Sequence, residues 1–244
     1  MARRPQPAEA LINAGTFELN GGVFKMTGQG PDVRKSSSKR VYWVDPDMVL
    51  AQPQGTSRGR LSELYKELLM TTLLGQESVG PAVRGAVPGP RSGLTEAMFV
   101  QRGEDFTLAA NAASARSEAQ ATALAESTLT LIRRLAAYGW CFLDMKPRNL
   151  VVNGSGEVLL IDADPMFLVR PSHELAACLG IKMNLDPARP EVCGAMGCHF
   201  ACLMLMLLVV SAGKRLPVPI RKCWHDALRQ SRTYLACAWA GAPD

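Results

Sequence analysis

Residues 141–165 read CFLDMKPRNLVVNGSGEVLLIDADP. Two short apolar runs, at 150–152 and 157–161, are joined by Asn153-Gly154-Ser155-Gly156. Asn and Gly tolerate positive φ, so this stretch predicts a β-hairpin. Asp144 and Asn149 precede its first strand and Asp162 ends its second, so the hairpin gathers all three at its mouth. A solvated turn between core strands is one reading of these residues. A metal-phosphate site is the other. A hard cation such as Mg2+ prefers oxygen ligands and keeps phosphates as partners, and Asn149 and Asp162 supply such oxygens. Lys146 offers a positive point charge for a transferring phosphoryl group, which leaves Asp144 as an acceptor for a hydroxyl proton.

The flanking segments predict strands first and helices after. Upstream of the hairpin, Ser117 and Gln120 form an S-x-x-Q capping box, and Leu124, Leu131, Ile132 and Leu135 keep helical spacing until Gly139. Nearer the N-terminus, TFELNGGVFKMTG (16–28) alternates around Gly21-Gly22 and RVYWV (40–44) is a β-branched and aromatic run. The polar, basic GQGPDVRKSSSKR (28–40) connects them. After a Pro/Gly/Ser-rich stretch at 52–59, Leu61, Leu64 and Leu68 mark an amphipathic helix, with Gly75 where a cap would fall. GPAVRGAVPGPRSG (80–93) reads as loop or short strand and LTEAMFVQ (94–101) as strand. Beyond the hairpin the chain reads as helix and loop, with a buried helix near 200–212. There are no internal repeats. Strands before helices indicate an α+β chain in two lobes, with a junction near Met98–Gly103.

Composition narrows the function classes. A chain of 244 residues with 48% hydrophobic and 20% charged residues is globular and buries a sizeable core. The net charge of +5 is too mild to indicate nucleic acid and suits any anionic ligand equally. The run FACLMLMLLVV (200–210) falls well short of a membrane span. No apolar segment follows the two N-terminal arginines, so no secretory signal is expected. Seven cysteines, odd in number and without framework spacing, indicate a reducing, cytoplasmic setting. Cys193, Cys198, His199 and Cys202 have zinc-ligand types but no paired CxxC; core thiols are the competing reading.

LDMKPRN followed by LLIDAD resembles the catalytic loop and metal-binding segment of the eukaryotic-type protein kinases, whose pattern is H-R-D-x-K-P-x-N and then D-F-G. The intervals, five from Asp144 to Asn149 and thirteen from Asn149 to Asp162, are ordinary for that family. The helix ending AAYGW (136–140) is similar to the family's approach to that loop. The resemblance implies Asp144 as catalytic base, Lys146 as the phosphate-contacting lysine, Asn149 and Asp162 as ligands of Mg2+ or Mn2+, and ATP as co-substrate. YKELLMTTLL resembles the helix whose glutamate pairs with the nucleotide-anchoring lysine, which nominates Glu67; a solvated helix position is the other reading. MFVQRGEDF resembles the interlobe hinge, with Met98 at its entrance and the backbone of Phe99 to Gln101 facing adenine. Gly21, Gly22 and Val23 resemble the tail of the glycine-rich loop, although two glycines alone make only a hairpin. The fold implied is a two-lobed protein kinase-like one: a tail at 1–15, a small β-rich N-lobe at 16–101 and a shortened, mainly helical C-lobe at 102–244.

The chain departs from the family pattern at several places. The strand expected to carry the anchoring lysine reads VYWV, with Trp43 in the lysine position. Lys25, two residues after Val23 and so on the same strand face, and Lys39 are the candidate substitutes; surface lysines are the competing reading. Phe142-Leu143 replaces H-R, which removes the usual arginine partner of a phosphorylated loop. Asp162-Ala163-Asp164 replaces D-F-G, no A-P-E follows, and His199 stands where the family has an aspartate in its large buried helix. Compact chains of this kind resemble kinases of large DNA viruses, for which the setting would be host cytoplasm or nucleus. The leading expectation is ATP-dependent phosphoryl transfer to Ser/Thr hydroxyls of a protein substrate, with no nucleic-acid partner. A pseudokinase acting as a nucleotide-binding or scaffold module is the first alternative. A small-molecule kinase, opposed by Lys146, is the second.

Overall fold

The computed structural model describes residues 14–19, 22–29, 39–45, 47–53, 58–88, 95–170, 172, 174–175 and 191–240. Gly21 lies outside them. The chain divides into two compact units, Met1–Gly103 and Glu104–Asp244. The fold is α+β, and every described strand pair is antiparallel.

The first unit is built on strands β1 (Thr16–Leu19), β2 (Gly22–Gln29), β3 (Lys39–Asp45), β4 (Met48–Pro53), β5 (Val83–Pro88) and β6 (Thr95–Gln101), ordered β1-β2-β3-β4-β6-β5. Helix α1 (Arg58–Gln76) covers one face. Its Leu64 packs with Ala51, Met98 and Val100. The other face buries Val44, Met48, Leu50, Val87, Ala97 and Phe99, with Phe24, Met26 and Tyr42 at its margin. β4 contributes to both clusters, so it reads as a continuous apolar run without alternation. Trp43 lies on β3, opposite Val49 of β4, and β4 is the strand that leads into α1.

Gly75 is not the helix cap. The positive-φ residue at this helix end is Ser78 (φ 55), and the N–H groups of Val79 and Gly80 both donate to the Leu74 carbonyl. Gly75 is required by a close approach instead: a Cβ there would stand 2.8 Å from the Pro81 carbonyl oxygen.

The second unit contains helices α2 (Phe106–Arg116), α3 (Glu118–Ala137), α4 (Glu191–Ala212) and α5 (Val218–Ala240). The Asp105 carboxylate caps α2, accepting from the N–H of Thr107 at 2.8 Å and of Leu108 at 3.1 Å. Alanine-rich α2 has little apolar periodicity, so pattern reading passed over it. α3 begins at the expected cap, where Ser117 Oγ accepts from Gln120 N–H, and Gly139 (φ 72) closes it. Its buried stripe includes Leu124, Ala125, Leu131, Ile132 and Leu135. Trp224 of α5 is fully buried against this helix; its indole donates to the Ala125 carbonyl at 3.3 Å and stacks on Phe106 at 5.7 Å.

Short strands complete the second unit: β7 (Glu104–Asp105), β8 (Cys141–Phe142), β9 (Leu150–Val152), β10 (Val158–Leu160) and β11 (Leu168–Val169), in sheets β10-β9-β7 and β11-β8. The side chains of Cys193 and Cys198 lie outside the described residues, and among the described residues no group of three or more His, Cys, Asp or Glu side chains is arranged to hold a metal ion. Among the described residues no helix is long and apolar enough to cross a membrane.

Gly75→Ala is expected to lower the melting temperature. Helix propensity favours alanine by about 1 kcal/mol, but overpacking against a fixed carbonyl costs about 1–3 kcal/mol. Gly154→Ala, where a Cβ meets nothing within 4 Å, is the matched control and should leave the melting temperature nearly unchanged.

Candidate active site

The hairpin at 150–160 is set by its own turn. Asn153 Oδ1 accepts from the N–H groups of Ser155 (3.0 Å) and Glu157 (2.9 Å), and Gly156 takes φ 84. Donation by the Asn153 amide and the Ser155 hydroxyl holds the Glu157 carboxyl below the usual carboxylate range. Leu150 pairs with Leu160, and the ladder runs one step further: Ile161 N–H donates to the Asn149 carbonyl at 2.8 Å. Asn149 is thereby tied to the residue that immediately precedes Asp162.

The segment before β9 is a single 3-10 turn, Pro147–Asn149, entered by a proline whose fixed φ suits the first position. Asn149 is only 4% exposed. Its Nδ2 donates to both the main-chain carbonyl and the Oδ2 of Asp144, each at 3.0 Å. The Lys146 ammonium donates to the same Oδ2. Asp144 is therefore gripped at one carboxylate oxygen, and among the described residues nothing donates to its Oδ1. With both bonds made through Nδ2, the amide oxygen of Asn149 is left as an acceptor.

Asp162 adopts φ 53, a left-handed conformation unusual for a residue other than glycine. Asp162 is exposed while Ala163 is buried. Asp164 makes an Asx turn, its Oδ1 accepting from Met166 N–H at 2.8 Å. The main-chain carbonyl of Asp164 accepts from Phe167 and Leu168. The second acid of Asp-Ala-Asp thus shapes the turn, and the first is presented outward.

Two further elements hold the loop. β8 pairs with β11, and Leu143 N–H donates to the Phe167 carbonyl at 2.7 Å. α4 reaches the loop through Met204, whose sulfur accepts from Phe142 N–H at 3.3 Å, and through Ser211, whose hydroxyl is shared between the Leu208 carbonyl of its own helix at 3.0 Å and the Met145 carbonyl at 3.2 Å. Sequence reasoning did not single out Ser211. The signal was a lone hydroxyl closing an apolar run. On α3, Ser127 Oγ accepts from Val158 N–H at 2.9 Å and pins the hairpin from the other side.

Asp144, Lys146, Asn149 and Asp162 all belong to the second unit. The remaining candidates belong to the first. Gly22 pairs with Leu19 where β1 turns into β2, and Val23 and Lys25 lie on the exposed face of β2, opposite Phe24 and Met26. Glu67 is half-buried on α1, one residue before Leu68, which packs at the margin of the Met98 cluster. Met98 and Phe99 are buried in β6, between β4 and β5, and Gln101 N–H donates to the Ala82 carbonyl at 2.8 Å. The main chain from Phe99 to Gln101 is therefore engaged in the sheet. Trp43 lies under the Arg102 guanidinium, 3.4 Å from the ring centroid. Neither a family model nor a curated protein matches this chain.

Cys141, fully buried in β8, has its thiol pKa pushed up to about 12 by burial, from an ordinary 9.0. The unfolded chain then loses this proton first, so stability should fall as pH rises above 9.0 toward about 12. Denaturant midpoints taken across this range should fall less steeply for Cys141→Ala than for the unaltered chain. The native thiol should also resist alkylation until the chain is unfolded.

Proposed function

We propose that this chain is an ATP-dependent phosphotransferase of divergent, two-lobed protein kinase-like fold, acting on Ser or Thr hydroxyls of a protein. The observation that carries this reading is the Asp144 carboxylate, held at Oδ2 by Lys146 and buried Asn149 beside the strand that ends in Asp162. Asp144 Oδ1 is the acceptor for the hydroxyl proton, and the bonds at Oδ2 orient it. Lys146 keeps a positive charge at the place where a phosphoryl group would pass. The donor set fits Mg2+ or Mn2+: Asn149 offers an amide oxygen and Asp162 an exposed carboxylate, and Mg2+ in phosphoryl-transfer sites takes few protein ligands beside phosphates and water. A cation bound there neutralises phosphate charge. Such chemistry is mostly positioning and electrostatics, which these few residues can supply.

A second reading, nucleotide binding or scaffolding without turnover, is favoured by one observation. β4, the strand entering α1, reads MVLAQP and has no lysine to anchor a nucleotide phosphate. Gln52, which stands opposite Arg40 of β3, is neutral.

The test is label transfer from γ-labelled ATP to generic protein substrates with Mg2+ or Mn2+. Asp144→Asn should reduce transfer by about 10²–10⁴-fold, the range for loss of a general base, and Asp162→Asn should abolish the metal dependence. Transfer that survives both substitutions overturns the assignment. No transfer, with ATP still raising the melting temperature, supports the second reading.

A further inference from the structure

The charge on the second unit is unevenly placed. From Val192 to His225 the chain carries Lys214, Arg215, Arg221 and Lys222 and not one Asp or Glu. Lys214, Arg215 and Lys222 are exposed and have no ion-pair partner among the described residues. The same is true of Arg148, in the 3-10 turn next to Asn149. For Arg148, Lys214 and Arg215 the chain supplies a reason to share one corner. α4 packs against that turn, and Ser211, one residue from the end of α4, is bonded to the Met145 carbonyl. Lys214 and Arg215 follow Ser211 by three and four residues, so their Cα atoms lie within ~11 and ~15 Å of it. Val210 and Val218, 75% and 64% exposed, stand one residue before Ser211 and three after Arg215 in the chain.

We propose that Arg148, Lys214 and Arg215, with Val210 and Val218, form the docking surface for an acidic segment of the protein substrate whose hydroxyl meets Asp144; this rests on the phosphotransferase reading above. Charge complementarity selects carboxylate-rich peptide, and the exposed valines accept its apolar side chains. Residues 201–223 contain no aromatic side chain, so this stretch of the corner offers no platform for base stacking, which counts against single-stranded nucleic acid as its partner. Complementing the α4 dipole would account for Lys214 and Arg215 as stabilising residues. It does not account for Arg148, and it predicts an effect on melting alone.

Binding is read first without turnover, by fluorescence anisotropy of a labelled serine peptide flanked by glutamates, against the same peptide with glutamines. The glutamate peptide should bind more tightly, and added salt should weaken it. The double variant Lys214→Glu/Arg215→Glu should weaken it about tenfold, as expected when two exposed attractive pairs become repulsive, with ATP-induced stabilisation unchanged. Arg148→Glu should act in the same direction. With turnover, the double variant should raise KM for the glutamate peptide and leave kcat unaltered. Equal binding of both peptides, or unchanged binding by the charge-reversed variants, overturns the proposal. So does stronger competition from polyuridine or from phosphatidylserine vesicles than from unlabelled peptide, which would assign the corner to RNA or to a membrane surface. Salt-sensitive, variant-sensitive binding without phosphoryl transfer to any peptide upholds the docking surface and counts against the phosphotransferase reading alone.

Discussion

The second unit's candidate site depends on how one buried amide is satisfied. Asn149 is almost wholly removed from solvent, and a buried side-chain amide without partners costs about 1–3 kcal/mol. Its Nδ2 finds two acceptors on a single residue, Asp144, and among the described residues no buried side-chain polar atom is left unpaired. The loop from Asp144 to Asn149 is thereby closed on itself, and the carboxylate is fixed by the same bonds that satisfy the amide. The Lys146 ion pair with Asp144 is partly exposed and contributes little to stability. Its consequence is orientation: one carboxylate oxygen is engaged and the other presented.

Around that closure, the fold holds the loop from several sides. α3 pins the hairpin through Ser127, α4 holds the approach through Met204 and Ser211, and β11 pairs with the strand that precedes Asp144. None of these contacts is an ion pair. They are main-chain groups meeting a hydroxyl, a thioether or another main chain, as expected where buried backbone must be satisfied. The left-handed backbone at Asp162 persists within this frame, tied through Ile161 to Asn149.

The first unit shows where pattern reading reaches its limit. β1, β2 and β3 alternate or carry turn residues and were legible. β4 is buried on both faces, and its apolar run ends at a Pro/Gly/Ser-rich stretch that disguises it. Trp43 lies on the neighbouring strand β3, opposite Val49 of β4. The ring has a local role in the sheet: the Arg102 guanidinium covers it, and the Arg102 N–H donates to the Asp47 carbonyl at 2.8 Å. The main chain of Phe99 and Val100 is paired with β4 on one side and β5 on the other, and Gln101 N–H donates to the Ala82 carbonyl.

The sequence by itself determined the elements whose signals are local. Asn153 and Gly156 specify the hairpin, Ser117 and Gly139 bound α3, and the spacing from Asp144 to Asn149 and on to Asp162 follows from the turn and the strands between them. Only the tertiary structure decided what depends on partners distant in the chain. Ser211 reaches Met145 across 66 residues, and Trp224 reaches Ala125 across 99. The close approach of Pro81 at Gly75 and the second paired edge of β6 belong to the same class. A residue's own neighbours specify turns and caps because those bonds close within a few positions. Which carbonyl a distant hydroxyl or indole will meet is set by helix packing, and no local spacing encodes it.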